Sequence, residues 1–565
     1  MFSPLIKLNH TQTTYDRNYL HKRTKKRHRL LSYLKMGFDK DTKYDRQLRL
    51  WASAGQQNLE SSSICLVNAT ATGCEILKNL ILPGIGKYTI IDDSKVTNKE
   101  LSSNFFLKTS DMGKKVADCV KRNLGELNAD AKGTAITDPV EKILSFDKLG
   151  NFWDSFNCVI VSDYISCLEE LIQILWSKKI PLLVVNTIGF YGSLNLLANE
   201  TTVIETHDPS KLYDLRIDKP WPKLREYSDS FDLDLLDDQE HAHVPYIVIF
   251  IKALDHWKLH HNNNPPLTYA EKKLFKTYVE SLSRNINLET NFIEAVQSCH
   301  RAFQKTEIPE SIKNLLELSD AKNLQSSSPT SFSATTSPSS DCTIFWVYIA
   351  ALKEYLKNND NILPLPGKLP DMASNTENYT TLAKIYRDKA LEDQSTFANE
   401  VYKILEKQKK PKTIVTKESI ATFCKNTQLL FVTIGSKNLN SPKLIEQFET
   451  GSSSEVLGIY WGILTYNAYI KQYNEVPTIK YMDDFIRIYH DEINPSAQQP
   501  LSDTLRKKFE EILTHNSSNY HNLSSFMGGI ASQEILKLTT AQYIPLDNLY
   551  VFDGVTSSSE RFKIQ

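Results

Sequence analysis

Apolar positions between residues 63 and 91 fall into two short runs separated by one stripe. Residues 63–68 (SICLVN) and 88–91 (YTII) are nearly continuous apolar runs, the pattern of strands buried on both faces. Between them Ile76, Leu77, Leu80 and Ile81 recur at helical spacing and predict a helix over 75–82 with one buried face. Residues 70–73 read as a small-residue turn. Pro83-Gly84 ends the helix and Gly86 clears the turn that follows. The second strand runs into Asp92-Asp93. The pattern is a βαβ unit with an acid at the carboxyl end of its second strand.

Further along, Met112, Val116, Val120 and Leu124 repeat at four and predict a helix over 111–127. Residues 158–162 (CVIVS) read as a third buried strand, 168–176 as a helix and 181–188 as another strand. Residues 193–197 and 202–205 read as a hairpin-like pair. Alternating strands and helices with continuous apolar strands predict an α/β domain, a mostly parallel sheet covered by helices on both faces. Beyond about residue 206 longer helical patterns take over, at 245–257, 269–282, 345–356 and 379–391. Residues 398–514 mix helix and loop in an order the pattern does not place. A helix with a Gly528-Gly529 pair (522–538) and a strand (549–552) then restore the first pattern. Residues 39–205 plus 515–565 are therefore expected to form one domain, interrupted by a mainly helical lobe at 206–514. A Ser/Thr/Pro segment within it, 325–341, lacks core-forming residues and reads as a disordered linker.

Composition narrows the class. The 565 residues exceed what one core organises, and 41% hydrophobic with 24% charged residues is ordinary for a soluble globular protein. A formal net charge of −1 gives no sign of a nucleic-acid surface, and no apolar run is long enough to cross a membrane. The eight cysteines form no C-x-x-C pair, so a zinc ribbon is unsupported and buried, reduced thiols in a cytoplasmic or nuclear protein are expected. Residues 1–38 stand apart as a basic extension read as disordered. Its block at 22–29 (KRTKKRHR) reads as an import signal, a presequence, a plain tail, or an upstream stretch with Met36 as the start.

A nucleotide-binding βαβ unit needs bare backbone at its first turn, so that N–H groups close on phosphate at the helix N-terminus. Here the turn is Asn68-Ala69-Thr70-Ala71-Thr72-Gly73. One glycine remains, and methyl groups stand where phosphate would need to approach. A G-x-G-x-x-G dinucleotide fingerprint is therefore absent, which argues against a dinucleotide-dependent oxidoreductase.

The segments YDRQLRLW (44–51), NATATG, EILKNLILPGIG, TIIDD and NFFL resemble the non-catalytic half of the activating enzymes for ubiquitin-like proteins. The resemblance is nearest to the regulatory, amyloid-precursor-protein-binding subunits of the heterodimeric neddylation-activating enzyme, and it covers nearly everything after residue 40. It implies a Rossmann-like adenylation fold of ThiF/MoeB type with an inserted lobe that lacks a catalytic cysteine. It also implies three partners: a catalytic subunit holding ATP and Mg, the ubiquitin-like modifier, and a conjugating enzyme. This chain itself is expected to bind no cofactor and no metal, and to be inactive alone. The sumoylation-type half is shorter and lacks the 206–514 insertion. A self-sufficient sulfur-carrier-type enzyme conflicts with the broken turn.

Active members of this family bring an acid for the ribose, an Asn-x-x-Arg-Gln run, a lysine and a metal-binding aspartate to the site. By resemblance Asp92 or Asp93 stands at the ribose position and Asp163 near the metal position. The run is Leu101-Ser102-Ser103-Asn104-Phe105, without arginine, and the lysine position holds Val116. Arg46, by contrast, matches the arginine that crosses to the ATP phosphates of the other half, with a planar donor fork that lysine copies poorly. Arg49 reads as a surface ion-pair partner. Cys299, flanked by His300 and Arg301, is a weak nucleophile candidate, since helical neighbours diverge. His256, His260 and His261 read as a solvated helix face rather than metal ligands.

Overall fold

The computed structural model describes residues 42–147, 151–207, 213–325, 339–449, 451, 453–495, 501–516 and 520–565. The basic extension to residue 38 lies outside them, as do residues 326–338 of the Ser/Pro segment. The ends assigned to that segment are helical: Glu310–Gln325 runs into it and Ser339–Lys357 leaves it.

β1 (Ser63–Val67), β2 (Lys87–Ile91), β3 (Lys132–Ile136), β4 (Cys158–Ser162) and β5 (Leu182–Ile188) pair in parallel, in the order β3-β2-β1-β4-β5. β6 (Tyr191–Leu197) turns back antiparallel on β5. β7 (Glu200–Val203) and β8 (Phe431–Ile434) pair with each other, as a separate antiparallel ribbon among the described residues. β9 (Leu549–Asp553) adds to β6 and carries β10 (Ser558–Phe562), both antiparallel. Leu66 of β1 lies between Ile90 and Ile160, and all five residues of β4 are buried, as continuous apolar strands under two helical layers should be.

Helices Ala71–Ile81, Val116–Gly125 and His521–Thr540 cover one face of the sheet, and their apolar stripes share a core with Ile64, Leu66 and Ile160. Helices Val140–Phe146 and Leu168–Ser177 cover the other, around Trp153 and Val161. Gly528 lets helix His521–Thr540 cross closely over helix Ala71–Ile81: a methyl there would stand 2.6 Å from Glu75 Cβ.

Several sequence expectations change. The hairpin-like pair does not form, because β6 joins the main sheet while residues 200–203 meet β8 more than two hundred residues later. The helix expected from residue 111 starts at Val116. Asp111 ends a short 3₁₀ turn instead and is buried, Met112 is exposed, and Gly113 takes φ +77°. The Arg122 guanidinium donates to Asp111 at 2.6 Å, and with Lys108 N–H it holds the carboxyl down at about 2 against the cost of its burial. The helix expected at 379–391 extends over Thr376–Lys407, and β10 carried no clear apolar signal because four of its five residues are exposed.

The ribbon of β7 and β8 is the neck through which the inserted chain leaves and returns. Beyond it lie two cores joined by helix Thr376–Lys407: Leu382 and Tyr386 pack in the first, Phe397, Val401 and Leu405 in the second. Helices Leu457–Tyr473 and Asp503–Thr514 pack elsewhere. Leu457, Trp461, Phe509 and Ile512 share a core with Tyr191, Leu549 and Val551, on the antiparallel end of the main sheet. Among the described residues no helix is long and apolar enough to cross a membrane.

Candidate functional site

The carboxyl end of β1 is where a βαβ unit would receive phosphate. Asn68 follows the strand at φ +65°, a conformation asparagine tolerates. Helix Ala71–Ile81 starts directly afterwards, so the residues read as a turn supply its first helical turn. Thr70 is the N-cap, and its hydroxyl accepts from Gly73 N–H at 3.3 Å. Gly73 survives for packing: a methyl there would meet Asn68 O and Leu66 Cδ1 at 2.9 Å.

Several other groups of this turn are bonded within the chain. Asp92 accepts from Ala69 N–H at 2.8 Å and from Ser94 N–H at 2.9 Å, so the acid at the ribose position closes the turn on itself. Asn104, the residue at the arginine position, is buried. It donates its amide to Ala69 O at 3.1 Å and to Cys74 Sγ at 3.3 Å. Thr70 Oγ1 lies 2.5 Å from Ser162 Oγ, and Thr72 Oγ1 lies 3.0 Å from Thr187 Oγ1 and 3.1 Å from Ser524 Oγ. Val116 is buried in the core at the lysine position. Asp93 is exposed and Lys115 donates to its backbone carbonyl. Within the turn, the N–H groups of Ala69 and Gly73 are thus taken by side chains of this chain.

Sequence reasoning missed one part of this filling. His521, at the start of the C-terminal helix, places Nδ1 2.9 Å from Ser103 O and Nε2 3.0 Å from Glu75 Oε1. Its ring stacks on Phe105 with centroids 3.7 Å apart. Glu75 is buried and also pairs with Lys78. Segments about four hundred residues apart thus lock together beside the turn, a contact with no signal in local periodicity.

Asp163, at the metal position, takes φ +65° and accepts from Thr187 N–H at 3.1 Å. Burial pushes its carboxyl up to about 6. The raised value means that ionisation opposes folding. The penalty is absent near pH 4, grows between about pH 4 and 6, and is constant above that. Asp163→Asn keeps the acceptor, tolerates the backbone and cannot ionise. It should stabilise the chain by about 1–2 kcal/mol at pH 7.5 and by almost nothing at pH 4, read from denaturant midpoints at both values.

Arg46 lies apart from this turn, on helix Asp45–Ser61. Tyr44 at the N-cap is buried and its hydroxyl accepts from Asn128 Nδ2 at 3.1 Å, while Lys43 donates to Asn128 at 2.7 Å and Asp130 at 3.0 Å. The helix kinks at Trp51-Ala52, where Gln542 donates to Trp51 O at 3.0 Å. The turn between these anchors is held at both ends. On it Arg46 is exposed and has no ion pair or hydrogen bond among the described residues. Arg49 pairs with Asp45 at 3.0 Å.

Cys299 sits in a buried 3₁₀ turn, and burial pushes its thiol up to about 12, the reverse of what a nucleophile needs. His256 stacks on Tyr278 at 4.6 Å and His261 on Trp257 at 3.7 Å, so both rings are committed to aromatic packing. Among the described residues no cluster of His, Cys, Asp or Glu has the arrangement of a metal site.

A model of the ThiF family matches residues 44–565. The NEDD8-activating enzyme E1 regulatory subunit of Gallus gallus is 32% identical over 544 residues, covering 93% of this chain and 98% of that protein. The Drosophila melanogaster protein of the same name is 31% identical, covering 93% of this chain and 98% of its own. The Saccharomyces cerevisiae one is 29% identical, with 92% and 100% covered. The likeness thus runs through sheet, neck and insertion together, and the chain belongs to the ThiF family and, within it, to the NEDD8-activating enzyme E1 regulatory subunits.

Proposed function

We propose that this chain is the non-catalytic half of a heterodimeric enzyme that activates a NEDD8-type modifier. A catalytic subunit pairs with it and provides the ATP and Mg site and the thioester-forming cysteine. The complex adenylates the modifier's C-terminal glycine, loads it on that cysteine and passes it to a conjugating enzyme. This half contributes the scaffold and Arg46, whose planar fork meets phosphate charge in the partner's site. The observation that carries the reading is the filled turn after β1: Asp92, Asn104 and Thr70 spend their polar groups on Ala69, Cys74, Ser162 and Gly73. An adenylating site needs those same positions open to phosphate.

The test is ATP–pyrophosphate exchange stimulated by the modifier. This chain alone should give no exchange above the blank at any ATP concentration, and the rate should appear when the catalytic subunit is added. Robust exchange by the chain alone overturns the proposal.

A further inference from the structure

In the inserted region a cavity of about 310 Å³ opens where four segments meet: residues 213–217, the turn from Arg301 to Pro309, Ile362-Leu363, and Gln428. The volume is at the lower end of the range for small-molecule sites. Its charges are unevenly compensated. Arg216 is buried and is satisfied by Asp214 at 3.3 Å and by Leu363 O at 2.5 Å. Lys305 and Glu307 lie exposed at the rim with opposite signs.

Arg301 remains. Its guanidinium lies over the rings of Tyr213, at 5.1 Å, and Tyr246, at 5.8 Å. It has no carboxylate partner and no hydrogen-bond acceptor among the described residues, and its Nε is buried without one. Aromatic faces hold the cation in place without using its N–H donors. A guanidinium fork that is fixed, partly desolvated and empty-handed is arranged for an acceptor with two oxygens. The side-chain amides of Gln304 and Gln428 line the same space and add neutral donors. The hydroxyl on the second of these rings, Tyr246 Oη, is also buried without a partner.

We propose that this cavity binds a small oxyanion, a phosphate or a carboxylate, on Arg301. Two probes separate the sources: inorganic phosphate and malonate, each titrated calorimetrically into the purified full chain at constant ionic strength. Saturable binding of either probe by the wild-type chain is expected, and the one that saturates names the group. Arg301→Lys keeps the charge and the ring contact but loses the fork, and should weaken binding at least about tenfold with an unchanged melting temperature. Arg301→Gln should abolish it. Selenate should appear in anomalous density within hydrogen-bonding distance of Arg301 in wild-type crystals and be absent there in Arg301→Gln. The proposal is overturned if neither probe saturates, if both variants bind as the wild type does, or if phosphate saturates while selenate occupies only other positions.

Discussion

Arg46→Ala slows adenylate formation by the assembled heterodimer about 30- to 1000-fold, while the heterodimer still forms. The magnitude follows from the loss of about 2–4 kcal/mol of charge-assisted contact to a developing phosphate charge in a site without bulk water. Assembly survives because Arg46 is exposed and has no partner among the described residues, and the helix is fixed by Tyr44 on one side and Trp51 on the other. Arg46→Lys recovers part of the rate, since a point charge makes one contact where the fork makes two. Arg49→Ala removes only the exposed pair with Asp45 and costs little. Single-turnover formation of the modifier adenylate, beside gel filtration of the mixed subunits, reads both quantities. A normal rate with intact heterodimer would reduce Arg46 to a surface charge and this chain to a scaffold.

Gly86→Ala destabilises the sheet domain by about 3 kcal/mol or more, the cost of forcing volume into a packed site that cannot relax. A methyl on Gly86 would stand 2.0 Å from Glu60 O and 3.1 Å from Ser62 O, both main-chain atoms that no rotamer change can move. The same residue donates its N–H to Leu59 O at 3.2 Å and accepts from Lys132 N–H at 2.9 Å. Any shift that makes room therefore disturbs the end of helix Asp45–Ser61, β2 and β3 together. Gly529→Ala is the contrast. A methyl there meets nothing within 4 Å, and alanine in a helix interior gains about 0.5–1 kcal/mol over glycine. Denaturant midpoints should move in opposite directions, and a Gly86→Ala midpoint equal to that of the wild type would refute the steric argument.

Much of the fold was legible because its signals are local. Leu66, Ile90 and Ile160 belong to short apolar runs whose continuity marks strands buried on both sides, and β1, β2 and β4 lie within a residue of their expected bounds. Where an end depends on a distant partner, the pattern misled. Met112 continued an apolar period at four. Asp111 instead had a buried place waiting beside Arg122, and Gly113 broke the backbone there. Residues 202–205 read as half of a hairpin with 193–197, and 431–434 fell in the stretch the pattern does not place, because a two-stranded neck leaves no periodic trace of its own.

The candidate site divides along the same line. Residue identities alone showed a turn with one glycine, a run without arginine and an arginine at position 46, because chemistry that requires a particular side chain is lost or kept with its letter. The tertiary structure decided what those positions do in the fold: Asp92 and Asn104 turned inward to hold Ala69, and His521 docked on Glu75 and Phe105 across the length of the chain. It also left Arg46 exposed and without a partner among the described residues, and set Arg301 over two tyrosines beside a cavity. A hydrogen-bond partner or an empty space is set by segments far apart in the chain, so neither can be read from the order of residues until folding brings those segments together.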